Sequence, residues 1–438
     1  MPAIPDLDAA DGALPPEALT VGSAVVETGA PSVEPIPLLV PSGPVAGPIV
    51  DRAELLDWAA RLATPGGPVA IDAERASGFR YGSRAYLVQL RRPDIGTVLI
   101  DPIPLGSLDV LDAPLADSEW VLHAANQDLP CLLEIGIRPR RLFDTELAGR
   151  LAGLPRVGLG PLVEQMLGLH LRKGHGAADW SNRPLPHDWL VYAALDVEVL
   201  VELRDAMEAL LISQGKLAWA QQEFAAIVAA PPAPPRVDPW RRTSGMHRIA
   251  DRRALAVIRE LWQARDAIAR RRDVAPHRIL PDSAIVAAAT AKPTSVGALT
   301  ALPVFSGRMQ RRNADGWIAA IGRALSMPAD ALPVVRPASD GPPAPAKWAS
   351  RDPAAAARLL AARKGLAELS ERVGTPVENL VSPDAARRVL WSPPQDSGIT
   401  AVAAALAERG ARPWQLELTA PVLAKALDAG VPAQVTHQ

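Results

Sequence analysis

Two proline-rich segments constrain how this chain of 438 residues can fold. The first is the run Ala-Ala-Pro-Pro-Ala-Pro-Pro at 229–235, and the second, 336–347, contains four prolines. Proline interrupts helix and sheet and favours an extended spacer, so both segments are predicted to be linkers. The start of the chain is rich in proline, alanine and acidic residues without periodicity, which is typical of disorder. The predicted plan is a disordered tail (1–45), a first domain (46–228), a linker (229–240), a second domain (241–335), a linker (336–348) and a third domain (349–438).

The composition argues against a secreted or membrane-bound protein. Hydrophobic residues make up 48% of the chain, and Cys131 is the single cysteine, so an internal disulfide is impossible. No Lys or Arg precedes Arg52, so the basic start of a secretory signal is missing. The apolar stretch 36–50 is broken by prolines and is too short to span a bilayer. We therefore expect a soluble, cytoplasmic protein without membrane contact.

The first domain has the pattern of an α/β fold. Short runs of branched residues are separated by polar or glycine-containing turns, as in strands, and helical patterns lie around them. Strands are expected at 69–72, 85–90, 97–101 and 120–123, and helices at 53–58, 128–135 and 186–211. Three strands in series, followed by one more strand and then mainly helices, favour an α/β sheet.

Two acidic residues, Asp72 and Glu74, end the first strand. Side chains alternate faces along a strand, so both carboxylates point the same way. Such a pair can hold a divalent cation through oxygen. Taken alone, the motif is better explained by two solvated acids that follow a strand.

Two further motifs carry acids in the first domain. Asp128 lies where the fourth strand turns into a helix, and in isolation it has the pattern of an acid that complements the positive end of that helix. Tyr192 and Asp196 are four residues apart in a predicted helix, so they share one face and can address one site. When they are considered alone, an ordinary helix pair explains them better.

The three motifs together, in this order, resemble the exonuclease motifs of the DEDD superfamily in its tyrosine-bearing branch, and more closely the ribonuclease D family. Further segments carry the same resemblance: Arg84–Leu90, Leu99–Pro102, Leu171–Gly174, Asp179–Trp180 and Arg183–Leu185. Val191 occupies the position where the other branch has histidine, and Ala73 stands where relatives often carry threonine. The resemblance covers about 50–215. It implies a ribonuclease H-like exonuclease domain, a mixed sheet flanked by helices.

The resemblance also implies a chemistry. The expected activity is that of a metal-dependent 3′–5′ exoribonuclease that releases nucleoside 5′-monophosphates and trims transfer RNA precursors and other small structured RNAs. Two Mg²⁺ or Mn²⁺ ions are implied, with Asp72 as the bridging ligand. The implied metal ligands are Asp72, Glu74, Asp128 and Asp196, and the same four together with Tyr192, which would hold the attacking water, form the catalytic set. A 3′–5′ DNA exonuclease and a non-catalytic RNA-binding protein on the same fold remain alternatives.

The second and third domains look like copies of one helical design. Each has a long helix, then a short segment with a proline near its start (273–282 and 373–384), then a helix rich in alanine and valine. Both resemble HRDC domains, the helical modules shared by RecQ-type helicases and ribonuclease D. The second copy carries a small insertion and matches more loosely. The predicted chain is therefore an exonuclease domain followed by two small all-α HRDC-like domains.

Basic residues suggest where RNA binds. Residues 241–272 carry ten arginines against three acids, which fits phosphate contact but also fits a solvated helix face. The residues expected to contact RNA are Lys173, Trp180, Arg252, Arg253, Arg259, Arg270, Arg271, Arg308, Arg311 and Arg312. For Trp180, stacking on a base and a place in the core are equally compatible with the sequence. We expect RNA as the partner of a monomer without an obligate protein partner.

Overall fold

The described residues of the computed structural model are 35–171, 174–305, 307–337 and 340–429. Most of the predicted tail, residues 1–34, lies outside these ranges. Residues 36–38 of that tail form a strand, which contradicts the prediction of disorder for this part. The described strands are β1 (Ile36–Leu38), β2 (Val69–Arg75), β3 (Ala85–Arg92), β4 (Gly96–Ile100), β5 (Glu119–Leu122), β6 (Arg141–Asp144) and β7 (Leu169–Leu171).

Five of these strands form one mixed sheet in the order β4-β3-β2-β5-β6. Strands β2, β3 and β4 are antiparallel in series, whereas β5 and β6 run parallel to β2. The short strands β1 and β7 pair with each other in parallel, which ties the start of the described chain to the segment after residue 168. The four strands predicted from the sequence are confirmed; β6, β1 and β7 are additional.

Helices surround the sheet in the first domain. Its helices are α1 (Arg52–Leu62), α2 (Pro102–Leu105), α3 (Leu129–Glu134), α4 (Thr145–Leu151), α5 (Leu159–Leu167), α6 (His187–Glu198), α7 (Leu200–Ser213) and α8 (Leu217–Ala229). Asp51 caps α1 by accepting hydrogen bonds from the backbone N–H groups of Ala53 and Glu54. The sequence predicts one helix over 186–211, but the chain breaks at Val199 into α6 and α7. The break lets α6 pack across β2, β3 and β4 while α7 contacts α4 and α5.

The remainder of the described chain is helical. It contains α9 (Arg252–Arg272), α10 (Pro276–Ile279), α11 (Asp282–Ala291), α12 (Val296–Thr300), α13 (Arg308–Arg312), α14 (Ala314–Ser326), α15 (Trp348–Arg351), α16 (Pro353–Val373), α17 (Val377–Leu380), α18 (Pro383–Trp391), α19 (Ile399–Ala407) and α20 (Pro413–Asp428). The predicted repeat is visible in α9 to α11 and α16 to α18, each a long helix, a single turn and a further helix. Each long helix ends on a residue in the left-handed conformation, Asp273 in one copy and Gly374 in the other.

The two helical domains attach to the sheet domain differently. The third domain shares one hydrophobic core with it, whereas the second domain has a core of its own. Trp414 of α20 stacks on Trp219 of α8 with ring centroids 4.9 Å apart, and its indole N–H donates to Glu223 at 2.9 Å. The predicted class, an α/β domain followed by helical domains, is confirmed. In the described residues, we find no helix long and apolar enough to cross a membrane.

Candidate active site

The sheet and α6 bring three predicted acids to one place. Asp72 and Glu74 project from the same face of β2, the face that α6 covers with Tyr192 and Asp196. One carboxylate oxygen from each of Asp72, Glu74 and Asp196 lies within 4.8 Å of the others. Residues separated by more than 120 positions in sequence therefore form one acidic cluster. Glu74 is buried, and the other two are half-buried.

Asp128 lies beside this cluster. It is the residue that precedes α3, its side chain is buried, and Arg75 Nη2 lies 3.4 Å from its Oδ1. Burial, with the charge of Asp72 second, raises the pKa of Asp128 to about 8. Asp128 is thus near enough to the cluster to repel it electrostatically, but it is not among the three acids whose oxygens lie within 4.8 Å of one another.

The electrostatics of the cluster favour a cation. Burial raises the pKa of Asp72, of Glu74 and of Asp196, and for Glu74 the charges of Asp72, Asp196 and Asp128 raise it further. Carboxylates that repel one another in a poorly hydrated site destabilise the fold unless protons or cations neutralise them. Their oxygens are the hard donors that divalent metals prefer. The residues therefore fit a divalent-metal site.

This electrostatic arrangement predicts how the metal-free protein responds to pH. The pKa of Asp128 is near 3.9 in an unfolded chain and about 8 in the fold, so the native state retains a proton that the unfolded chain releases. The stabilising contribution is complete below about pH 4 and is lost as pH rises through the folded pKa. We expect the melting temperature in EDTA to fall between pH 5.5 and 8.5, and to fall less steeply in Asp128→Asn. One such group changes the free energy of unfolding by at most about 1.4 kcal/mol per pH unit.

Differential scanning calorimetry across this pH range measures the effect. Asp384→Asn is the matched control, because Arg388 lowers the pKa of that exposed carboxyl and its titration falls below the range. Parallel curves for Asp128→Asn and the parent protein would contradict the electrostatic account of Asp128.

Tyr192 is fixed against the acids. Its hydroxyl is hydrogen-bonded to Asp196, and burial followed by the charges of Asp196 and Glu74 raises the pKa of the phenol, which therefore keeps its proton at neutral pH. The His175 ring meets the tyrosine edge-on at 5.8 Å between centroids. A Cβ at Gly174 would lie 2.8 Å from the tyrosine Cδ2, so a side chain there would displace the ring.

Asp144 is a residue of the site region that sequence reasoning missed. Its buried carboxylate ends β6 and accepts hydrogen bonds from the backbone N–H groups of Ala124 at 3.1 Å and Ala125 at 2.8 Å. Ala124 has φ +60°, a left-handed conformation that is unfavourable for alanine. Asp144 therefore holds the turn that leads to Asp128. The available signal is the short strand pattern at 141–144 that Asp144 ends.

The structure contradicts one predicted RNA contact. Trp180 is fully buried, its indole N–H donates to the His175 carbonyl at 3.1 Å, and its ring packs among Leu87, Leu99 and Leu190. A side chain that makes up part of the core is not available to stack on a base. Lys173 lies outside the described residues.

The predicted RNA-binding arginines fall into two groups. Three of them bond within the second domain: Arg252 Nη2 donates to the Leu332 carbonyl at 2.6 Å, Arg253 donates to the Met327 carbonyl, and Arg259 Nη2 donates to Met327 Sδ at 3.0 Å. These bonds give the three guanidinium groups a structural role. Arg252 is nevertheless exposed, and so are the remaining five arginines: Arg270, Arg271, Arg308, Arg311 and Arg312.

Comparison with known proteins gives the family. Residues 48–212 match a family model described as a 3′–5′ exonuclease, and 254–321 match the HRDC domain. Ribonuclease D of Gluconacetobacter diazotrophicus is 35% identical over 291 residues, which cover 64% of this chain and 72% of that protein. The chain belongs to the ribonuclease D family. Ribonuclease D of Granulibacter bethesdensis is 32% identical over 281 residues, covering 61% of this chain and 69% of the relative.

Solved structures agree with this family assignment. A protein from Bifidobacterium adolescentis superposes with a TM-score of 0.83 at 37% identity and covers 90% of this chain and 100% of its own. Escherichia coli RNase D, an exoribonuclease involved in structured RNA processing, superposes with a TM-score of 0.63 at 26% identity, covering 87% of this chain and 98% of its own. The ribonuclease D resemblance is confirmed, and the chain is a 3′–5′ exoribonuclease with an exonuclease domain and an HRDC domain.

The third domain matches a model of another description. Residues 341–427, where the sequence predicts a second HRDC-like domain, match a 3′ to 5′ exonuclease C-terminal domain. Its helical order repeats that of the second domain, as described above. Its shared core with the sheet domain distinguishes it from the HRDC domain, which buries a separate core.

Proposed function

We propose that this ribonuclease D family member removes nucleotides one at a time from RNA 3′ ends as nucleoside 5′-monophosphates. The observation that carries the proposal is the approach of Asp72, Glu74 and Asp196 oxygens to within 4.8 Å of one another. Hydrolysis of an anionic phosphodiester needs positive charge beside the phosphate and an activated water. A concentrated set of buried carboxylates supports both by binding cations.

The proposed cofactor is a pair of Mg²⁺ or Mn²⁺ ions. Cations of this kind activate the attacking water, neutralise developing charge and stabilise the leaving oxygen. Asp72 would be the ligand common to both ions, and Glu74 and Asp196 would hold the ion that supplies the activated water. Asp128, which lies beside the three and is paired with Arg75 at 3.4 Å, is assigned to the second position.

Tyr192 is proposed to orient the attacking water. Because burial raises the pKa of its phenol, the hydroxyl is protonated at neutral pH, so it donates to Asp196 and its oxygen is left to accept a hydrogen bond from the water rather than to act as a full base. Its hydrogen bond to Asp196 couples it to a proposed metal ligand. The raised pKa therefore supports a role in which the neutral, protonated phenol of Tyr192 orients the water.

The proposed substrates are transfer RNA precursors and other small structured RNAs. Support comes from the RNase D relatives, of which the Escherichia coli protein is involved in structured RNA processing. A comparison of cellular RNA 3′ ends by sequencing, with active enzyme and with an Asp72→Asn variant, tests this assignment. Precursors with extended 3′ ends should accumulate in the variant, and unchanged 3′ ends of these RNAs would contradict it.

Digestion of matched strands tests the reaction itself. We expect a 5′-labelled RNA of 12 nucleotides to shorten stepwise from its 3′ end in Mg²⁺ or Mn²⁺, with nucleoside 5′-monophosphates as products identified by chromatography. The control is the DNA strand of the same sequence, which should be degraded at least about tenfold more slowly, a difference of about 1.4 kcal/mol in barrier. Equal rates on both strands would favour the DNA exonuclease alternative, and internal cleavage would contradict the proposal.

A further inference from the structure

The loop between β2 and β3 connects the acidic cluster to the HRDC domain. Residues 76–84 follow Glu74 directly, and several of them bond to the end of α9 and to α10. The backbone N–H of Ala275 donates to the Phe79 carbonyl at 2.9 Å, and Arg278 Nε donates to the Gly78 carbonyl at 2.8 Å. These two hydrogen bonds, one from a backbone N–H and one from a side chain, join the two domains at this loop.

Four arginines from both domains line this junction: Arg80, Arg84, Arg270 and Arg278, which we call the basic seam. Each is tied to the junction by a contact of its own. Arg80 and Arg84 approach Asp273 at 4.0 Å and 3.3 Å, Arg270 Nη2 donates to the Tyr81 hydroxyl of the loop at 3.1 Å, and the Arg278 guanidinium lies 4.2 Å from the centre of the Phe79 ring. Arg270 also lies 3.6 Å from Asp266 within its own helix. The seam thus has four arginines against three nearby acids, Asp266, Asp273 and Glu134, the last of which acts on Arg84. Positive charge is left over.

Two of these arginines extend into solvent. The side chain of Arg270 is 72% exposed and that of Arg84 is 50% exposed. Exposed ion pairs contribute at most about 1 kcal/mol, so these two contacts are weak as structural supports. The carbonyl contacts of Ala275 and Arg278 and the hydrogen bond from the Tyr81 hydroxyl to Asp266 at 3.0 Å do not involve Arg84 or Arg270 and still join the domains when both are replaced. Arg84 and Arg270 are therefore available to a ligand at little cost to the fold.

The seam borders the acidic cluster. Phe79, on the loop, packs against the hydrophobic cluster that also contacts Tyr192. Arg80 Nε donates to Ser181 Oγ at 2.7 Å, in the segment that leads into α6. An RNA strand whose 3′ end reaches the carboxylates of the acidic cluster can therefore extend over this loop. The protein surface beside the loop is the positively charged basic seam. A planar guanidinium group can donate two parallel hydrogen bonds to the oxygens of one phosphate.

We propose that the basic seam binds the phosphates of the RNA strand upstream of its 3′-terminal nucleotide, so that one strand is held by the exonuclease domain and the HRDC domain together. The inference rests on the proposed function, because it assumes that the strand ends at the acidic cluster. The inference adds Arg80, Arg84 and Arg278 to the RNA-binding residues that the sequence predicts. It places Arg270, which the sequence already predicts, on the same RNA-binding surface as these three. Sequence-independent phosphate contact makes the affinity strongly dependent on salt.

The test uses the full chain with the double variant Arg84→Gln, Arg270→Gln. Fluorescence anisotropy with a 12-nucleotide single-stranded RNA in EDTA measures affinity between 50 and 200 mM salt without cleavage. The logarithm of the association constant falls with the logarithm of the salt concentration, and each phosphate contact on a single strand adds about 0.7 to the steepness of this slope. The slope of the double variant should therefore be shallower than that of the parent by about 1.4.

Arg387→Gln, Arg409→Gln is the matched control, since both residues form comparable surface ion pairs on the third domain. It should keep the parent slope. Arg270→Glu is a second variant with minimal risk to folding, and it should weaken 12-nucleotide binding by about tenfold or more. A parent-like slope in the folded seam variants would overturn the inference. Failure of the parent to release nucleotides would instead contradict the proposed function, because the binding measurement in EDTA does not depend on catalysis.

Discussion

Asp72→Asn is expected to reduce nucleotide release by at least about 10³-fold, equivalent to about 4 kcal/mol in the barrier. Asp72 is the acid common to the causes that raise the pKa of Glu74, Asp128 and Asp196, so its carboxylate has the central position in the cluster. Its amide replacement keeps the shape but removes the negative charge that holds a cation. Single-turnover digestion of the 12-nucleotide RNA in saturating Mg²⁺ measures the loss.

The same substitution should stabilise the metal-free fold. Removing one of several repelling buried carboxylates lowers the electrostatic cost of the native state, so the melting temperature in EDTA should rise, while the increase on adding Mg²⁺ should shrink. Asp205→Asn is the control, because Asp205 lies exposed on α7 beside Arg204 at 3.0 Å. Near-parental turnover by a folded, metal-saturated Asp72→Asn protein would remove Asp72 from the mechanism.

Tyr192→Phe is expected to lower the rate of nucleotide release by about 10²-fold and to leave metal binding nearly unchanged. The substitution deletes a protonated hydroxyl that is hydrogen-bonded to Asp196 but retains the ring that packs beside Gly174. Positioned proton donors and acceptors typically contribute about 10²–10⁴-fold, and a group that only orients water belongs at the lower end. Rates in saturating Mg²⁺ and the Mg²⁺-induced rise in melting temperature, measured together, separate the two effects.

Tyr86→Phe is the matched control for this experiment. Tyr86 is a buried tyrosine of β3 whose hydroxyl accepts a hydrogen bond from Arg84 Nε at 3.0 Å. Its loss should leave the rate on a dinucleotide within about threefold of the parent, because the residue is not among the proposed catalytic groups. If Tyr192→Phe and Tyr86→Phe turned over at the same parental rate, the orienting role of Tyr192 would be refuted.

The acidic cluster was predictable because its members carry local signals. Asp72 and Glu74 end an apolar strand, and the strand period alone places them on one face. Tyr192 and Asp196 share a face of α6 through helical spacing. The strand predictions succeeded for the same reason, since β2, β3, β4 and β5 are short runs of branched residues between turns. The residue roles that the family resemblance implies stay predictions until the variants are measured.

The misassigned features depend on contacts between distant segments. Arg252 and Arg253 bear the charge of a phosphate-binding helix, yet they donate to carbonyl groups at 324–333, more than 70 positions away. Trp180 has the composition of a stacking residue but fills the core beneath α6. The strand β6 was missed because a four-residue run that begins with Arg141 has a weak local pattern. Its residue Asp144 nevertheless fixes the turn before Asp128.

From local patterns and family resemblance, the sequence alone determined the four main strands and the HRDC-like character of the second domain. The bounds of the domains and the roles of the acids and the tyrosine are predictions that the sequence makes. The tertiary structure alone decided which arginines are exposed, that the third domain shares the core of the sheet domain, and that the loop after Glu74 docks on the HRDC domain. The reason is physical. Periodicity and turn chemistry act over a few residues, whereas burial and hydrogen-bond partnership depend on which distant surfaces come into contact when the chain folds.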